Sequence, residues 1–128
     1  MSDDDDGAEA DGHVIFSFLV NSSKPIPSLQ GMDGRKCPTR PDDDHLYDVY
    51  ENIFDEPDGS ARASRVDTSI HEAVDKLVAT GIDLNYLQGE DVTVRAYFTF
   101  PVGPETIRAE ALQRLASCHA TIWIDANG

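Results

Sequence analysis

Residues 92–100 alternate without a break between two kinds of side chain, and this period of two constrains the fold more than any other feature of the chain. Val92, Val94, Ala96, Phe98 and Phe100 fall on one side, and Thr93, Arg95, Tyr97 and Thr99 on the other. Successive strand side chains point to opposite faces, so the pattern predicts an antiparallel strand with one face in a core and the other in water. A second β-prone run, His13 to Val20, is continuously apolar and ends at Asn21-Ser22-Ser23 ahead of Pro25 and Pro27, as expected of a central strand. Ala120 to Asp125 closes the chain as a further strand.

Three helices are expected between these strands. From Pro41 to Pro57, Leu46, Val49, Tyr50, Ile53 and Phe54 recur at the spacing of one helical face, with Asp42, Asp43 and Asp44 as N-cap candidates. The opposite face of such a helix carries Asp48, Glu51 and Asp55. After a polar loop from Pro57 to Arg65, Ser69-Ile70-His71-Glu72 has the form of a capping box. It opens a second helix whose apolar face is Ile70, Ala73, Val74, Leu77 and Val78 and whose stop is Gly81. A third helix, from Pro104 to about Cys118, packs Ile107, Ala111, Leu112, Leu115 and Ala116. Residues 21–41, rich in Pro, Gly and Ser, read as a long connection. The expected class is α+β, an antiparallel or mixed sheet with about three helices packed on one side.

The formal charge of -14 is carried entirely by two runs without Lys or Arg. One holds Asp3 to Asp6, Glu9 and Asp11; the other holds Asp42, Asp43, Asp44, Asp48, Glu51, Asp55, Glu56 and Asp58. Residues 1–12 offer no apolar side chain larger than Met1 and cannot repay the entropy of ordering, so they read as a disordered acidic tail on a single domain spanning 13–128. No apolar run is long enough to cross a bilayer and the first residues are acidic, which points to a cytoplasmic protein. Nucleic acid and anionic membranes, which demand Lys and Arg, are argued against as direct partners. Seventeen Asp against seven Glu, with three Lys, would also suit a saline cytoplasm, but solvation alone should spread acid over the whole surface.

The second half resembles a bacterial family catalogued as domain of unknown function 4279. The likeness rests on the helix carrying Leu77 with its following short segment, the strand DVTVRAYFTF, and the ending EALQRLASCHATIWIDA. Cys37-Pro38-Thr39-Arg40 corresponds to an early Pro-Thr element of the family pattern. The family's leucine-rich helix and later Trp strand are not matched, and the acidic segment stands in their place. The resemblance implies an α+β sheet with helices on one side and, since the family has no assigned activity, no site residues.

Cys37 and Cys118 are too few for a disulfide framework and read as free thiols. Together with His45 and His119 they lack the spacing of a zinc site, and Asp42 to Asp44 lack the alternation and Gly of a calcium hand. No nucleophile signature and no phosphate-cradling Gly-rich loop is present. No metal, cofactor or catalytic residue is therefore expected. The expected function is that of a non-enzymatic, immunity-like or inhibitor-like protein that occludes a basic partner, such as a nuclease or nucleic-acid-binding enzyme. Its candidate contact residues are Asp44, Asp48, Glu51, Asp55 and Glu56. The competing readings are a ligand-binding domain or small enzyme using Arg95 and Tyr97, acid then reflecting a saline habitat, and a structural member of a larger assembly.

Overall fold

Alternation in the strands and a 3.6-residue period in the helices bring the apolar side chains onto one side of a four-stranded sheet. The structure, a computed structural model, describes residues 12–32, 45–101 and 105–127. Strand β1 (His13–Ser22), strand β2 (His45–Asp55), helix α1 (Gly59–Ala79), strand β3 (Val92–Pro101), helix α2 (Ala109–Ser117) and strand β4 (Ala120–Asn127) follow in that order. Short 3₁₀ turns lie at Pro27–Leu29 and Leu84–Gln88. The sheet order is β2-β1-β3-β4, antiparallel except where β4 runs parallel to β3, so the class is α+β with a mixed sheet. No helix among the described residues is long and apolar enough to cross a membrane.

The first strand takes the central place that its unbroken apolar run predicts. Its even-numbered residues Val14, Phe16, Phe18 and Val20 are buried and lie beside Phe98, Ala96 and Val94 of β3 in register. Both helices cover this face, through Val66, Ile70, Ala73, Val74 and Leu77 of α1 and Ala111 and Leu115 of α2. Phe16 stacks on Phe98 at 4.7 Å between ring centroids, and Phe98 on Phe100 at 5.4 Å. The opposite face of the sheet has no helix over it among the described residues.

Two helices are present among the described residues rather than three, because the acidic segment is a strand. Residues 45–55 pair antiparallel with β1, and a register shift at Phe18/Leu19 marks a β-bulge. Before the bulge the odd residue Tyr47 enters the core; after it the even residue Phe54 does, while Ile53 is 55% exposed. One extra residue flips the parity of a strand, so its apolar positions follow a spacing that imitates a helical stripe. Asp42, Asp43 and Asp44 lie outside the described residues.

Helix α1 also begins eleven residues earlier than the capping box implies, with Asp58 and not Ser69 as its N-cap. The Asp58 carboxylate accepts from the Ala61 N–H at 2.8 Å, so the expected loop at 57–65 is largely helical. Ser69 is a buried mid-helix residue whose hydroxyl accepts from Asn52 Nδ2 at 2.8 Å, and Glu72 accepts from the Tyr50 hydroxyl at 2.5 Å. Burial, followed by the Glu72 hydrogen bond, raises the Tyr50 pKa. These two bonds tie β2 to α1. Val78, expected in the core, is 48% exposed. Helix α2 is shorter than expected, starting at Ala109, and His119 after it takes a left-handed φ of 59°, the usual stop of a helix.

Apart from Gly12, the expected acidic tail lies outside the described residues. Gly12 is buried, and its carbonyl accepts the Glu56 N–H at 2.7 Å. A Cβ there would lie 2.9 Å from backbone atoms of Glu56 and Pro57. Gly12→Ala is therefore expected to destabilise the fold by about 1–3 kcal/mol, as overpacking does, whereas deletion of residues 1–11 should leave the melting temperature nearly unchanged. Thermal melts of the two variants check this; equal behaviour would place position 12 outside the packed body.

Candidate functional site

The uncovered sheet face is built from the odd-numbered residues of β1, β3 and β4 and from the bulged strand β2. Register places its side chains in rows that run across the strands. Ile53, Ile15, Thr99 and Asp125 form one row, Glu51, Ser17, Tyr97 and Trp123 the next, and Asp48, Leu19, Arg95 and Thr121 a third. Asp55 pairs with His13 in the register, and its Oδ1 lies 3.1 Å from His13 Nδ1. The bulge is what brings Asp48 and the odd residues Glu51, Ile53 and Asp55 to one face. An unbroken strand would have sent the charges to opposite sides.

The β3–β4 side of the face is aromatic. Tyr97 and Trp123 stack at 6.3 Å with a 14° angle between their rings, and the Arg95 guanidinium sits 4.8 Å from the Trp123 centroid. Both distances lie within the range in which stacking and cation–π attraction contribute. Trp123 is 46% exposed and Tyr97 36%. Over β1 and the acidic strand β2, Ser17, Leu19, Leu46, Asp48, Tyr50 and Glu51 line a small pocket of about 240 Å³. That is smaller than the ~300–1,000 Å³ of typical ligand sites.

The expected contact residues divide into three groups. Asp48, Glu51 and Asp55 share the open face, on a strand and not on a helix. Glu56 does not join them: its carboxylate lies 3.6 Å from Arg65 Nη1 beside the start of α1. Asp44 lies outside the described residues, as does Cys37 with the Pro-Thr element. Arg95 and Tyr97 stand together on this face, while Trp123 was not singled out by its sequence. The only signal for it was the alternation of Thr121, Trp123 and Asp125, and its neighbour across the sheet could not be read from local pattern.

Other chemistry-bearing groups are engaged in holding the fold. Cys118 is fully buried, its thiol donates to the Arg114 carbonyl at 3.4 Å, and burial raises its pKa and keeps it protonated. Arg114 reaches Asp75 at 2.6 Å and His71 Nδ1 at 3.2 Å, bridging α2 to α1. Among the described residues, no three His, Cys, Asp or Glu side chains gather as a metal-binding group. Compared with models of known families, with curated proteins and with solved structures, the chain has no match.

Proposed function

We propose that the chain is a non-enzymatic interaction protein that occludes a basic protein partner through its uncovered sheet face. The observation that carries this reading is the placement of Asp48, Glu51 and Asp55 on the same open face as the Tyr97–Trp123–Arg95 cluster. Tyr, Trp and Arg dominate the energetic centres of protein interfaces, and charges at the rim steer association. Half-exposed aromatics that share a face with exposed carboxylates suit a surface presenting Lys and Arg. The competing edge-strand account, in which charge merely blunts a sheet edge against aggregation, explains the acids on β2 but not the exposed aromatic stack two strands away. Catalysis is less well supported, since the described cysteine is buried and protonated and the pocket on this face is small.

The test compares the wild-type chain with the Asp48→Asn/Glu51→Gln/Asp55→Asn variant, each immobilised and exposed to host lysate. The variant should fold with a stability change within about 0.5 kcal/mol, as exposed substitutions usually do. A basic protein retained by the wild type should associate roughly tenfold or more slowly with the variant, and with a flatter dependence on salt. Trp123→Ala should instead raise the dissociation rate. An unchanged association rate in the triple variant would remove the carboxylates from the recognition surface.

A further inference from the structure

The two edges of the sheet are built differently. Strand β2 carries Asp48, Glu51 and Asp55, contains a bulge, and has its Asp48 N–H bonded to the Met32 carbonyl at 2.7 Å. These are the devices that stop a sheet from growing. Strand β4, the other edge, has no bulge and carries a single charge among its residues, Asp125. It runs from Ala120 to Asn127 in unbroken register with β3, and residues 120–124, Ala-Thr-Ile-Trp-Ile, carry no charge, Pro or Gly. Its outer side has no partner strand among the described residues. On its two faces it exposes Trp123 by 46% and Ile124 by 62%.

We propose that β4 is a self-association edge, where two copies pair antiparallel about a twofold axis through Trp123 and join their sheets into one of eight strands. A twofold interface must be complementary to itself, and Ile122-Trp123-Ile124 is palindromic about its centre. In this register Ile122 faces the partner's Ile124 on the helix side of the sheet, where Ile124 is otherwise exposed. On the open side the two Trp123 rings meet and extend the Tyr97–Trp123 stack across the junction. Asp125, the charged residue of the strand, falls opposite the hydroxyl of the partner's Thr121. Among the described residues, the carboxylates of the second acidic run stand on β2 and at the start of α1, away from this edge. The carboxylates of β2 stand three strand spacings away, about 14 Å, beyond a Debye length of about 8 Å at physiological salt. Because both outer edges of the pair are then acidic, bulged β2 strands, association stops at two.

Velocity sedimentation of the full chain should give twice the 14.0 kDa chain mass in the micromolar range, with more dimer as salt rises and screens the net charge. Partner binding by the acidic face weakens with salt, so the two readings fail separately. Ile124→Glu should weaken self-association by about tenfold or more, since it sets a carboxylate against the partner's Ile122, with the same melting temperature as the wild type at concentrations where both are monomeric. In a Cys37→Ser background, the double variant Thr121→Cys/Asp125→Cys should oxidise to a disulfide-linked dimer and neither single variant should. Directly opposed residues have Cα atoms about 4.5–5.5 Å apart, within disulfide reach, whereas the two positions within one strand are about 13 Å apart. The cross-link tests the pairing even if Ile124→Glu unfolds. A monomer at all concentrations and salts, a dimer that survives Ile124→Glu, or a double variant that does not cross-link would each overturn the proposal.

Discussion

Phe16→Ala should cost about 3–5 kcal/mol, a large part of the 5–15 kcal/mol that holds a typical domain together. The ring is fully buried in the central strand. It stacks on Phe98 at 4.7 Å and leans on Tyr50 and Phe18 at 5.9 and 6.3 Å. Truncation removes the ring's transfer free energy and leaves a cavity bounded by strands on both sides, where the backbone has little room to collapse. Ile53→Ala is the matching control. Its side chain is exposed and should change stability by less than about 0.5 kcal/mol, whereas a helical stripe at residues 46–54 would have put it in the core. Urea unfolding of the two variants decides the matter, and equal losses would show that strand β2 is misplaced.

The second large loss is expected at Arg62, whose side chain is only 10% exposed. Its Nε and Nη2 reach the two carboxylate oxygens of Glu105 at 2.9 Å each, and its Nη1 donates to the Glu56 carbonyl at 2.6 Å. Glu105 is 11% exposed, so Arg62→Ala strands a carboxylate and a carbonyl away from water and should cost about 3–5 kcal/mol. The pair is not expected to be worth that much in net terms, because desolvating both charges offsets most of their attraction. Arg62→Met combined with Glu105→Leu should therefore recover most of the stability lost by Arg62→Ala. A double-mutant cycle measured by urea unfolding tests this; a loss below about 1 kcal/mol for Arg62→Ala would mean that the pair behaves as an exposed one.

Which parts of the fold could be read in advance follows from how local their causes are. Strands β1, β3 and β4 announce themselves because alternation or an unbroken β-prone run needs no partner to be recognised. Strand β2 hides behind its bulge, although Tyr47, Val49, Tyr50, Ile53 and Phe54 are the β-branched and aromatic types that favour strands. Composition was the better guide there than periodicity. The start of α1 was obscured because Ser69 and Glu72 fit a capping box while bonding across to Asn52 and Tyr50 instead. Of the candidate site, the common placement of Asp48, Glu51 and Asp55 was anticipated from helical spacing and arises from an inserted strand residue. The neighbours Tyr97 and Trp123, and the partners Arg62 and Glu105, are separated widely along the chain and meet only through tertiary pairing.

The order of strands also dictates when this chain can fold during synthesis. Strand β1 is made first but sits in the interior of the sheet, with Ile15 opposite Thr99 of β3. Until β3 has left the ribosome, β1 can form no more than an edge with β2, and Phe16 has no Phe98 to stack upon. Strand β4 then docks beside β3 only after α2 has crossed over. Contacts this distant in sequence slow folding, because loop-closure entropy is paid before they form. A nascent chain halted before residue 92 would hold an apolar hairpin without its closing strand, the species for which a chaperone would compete.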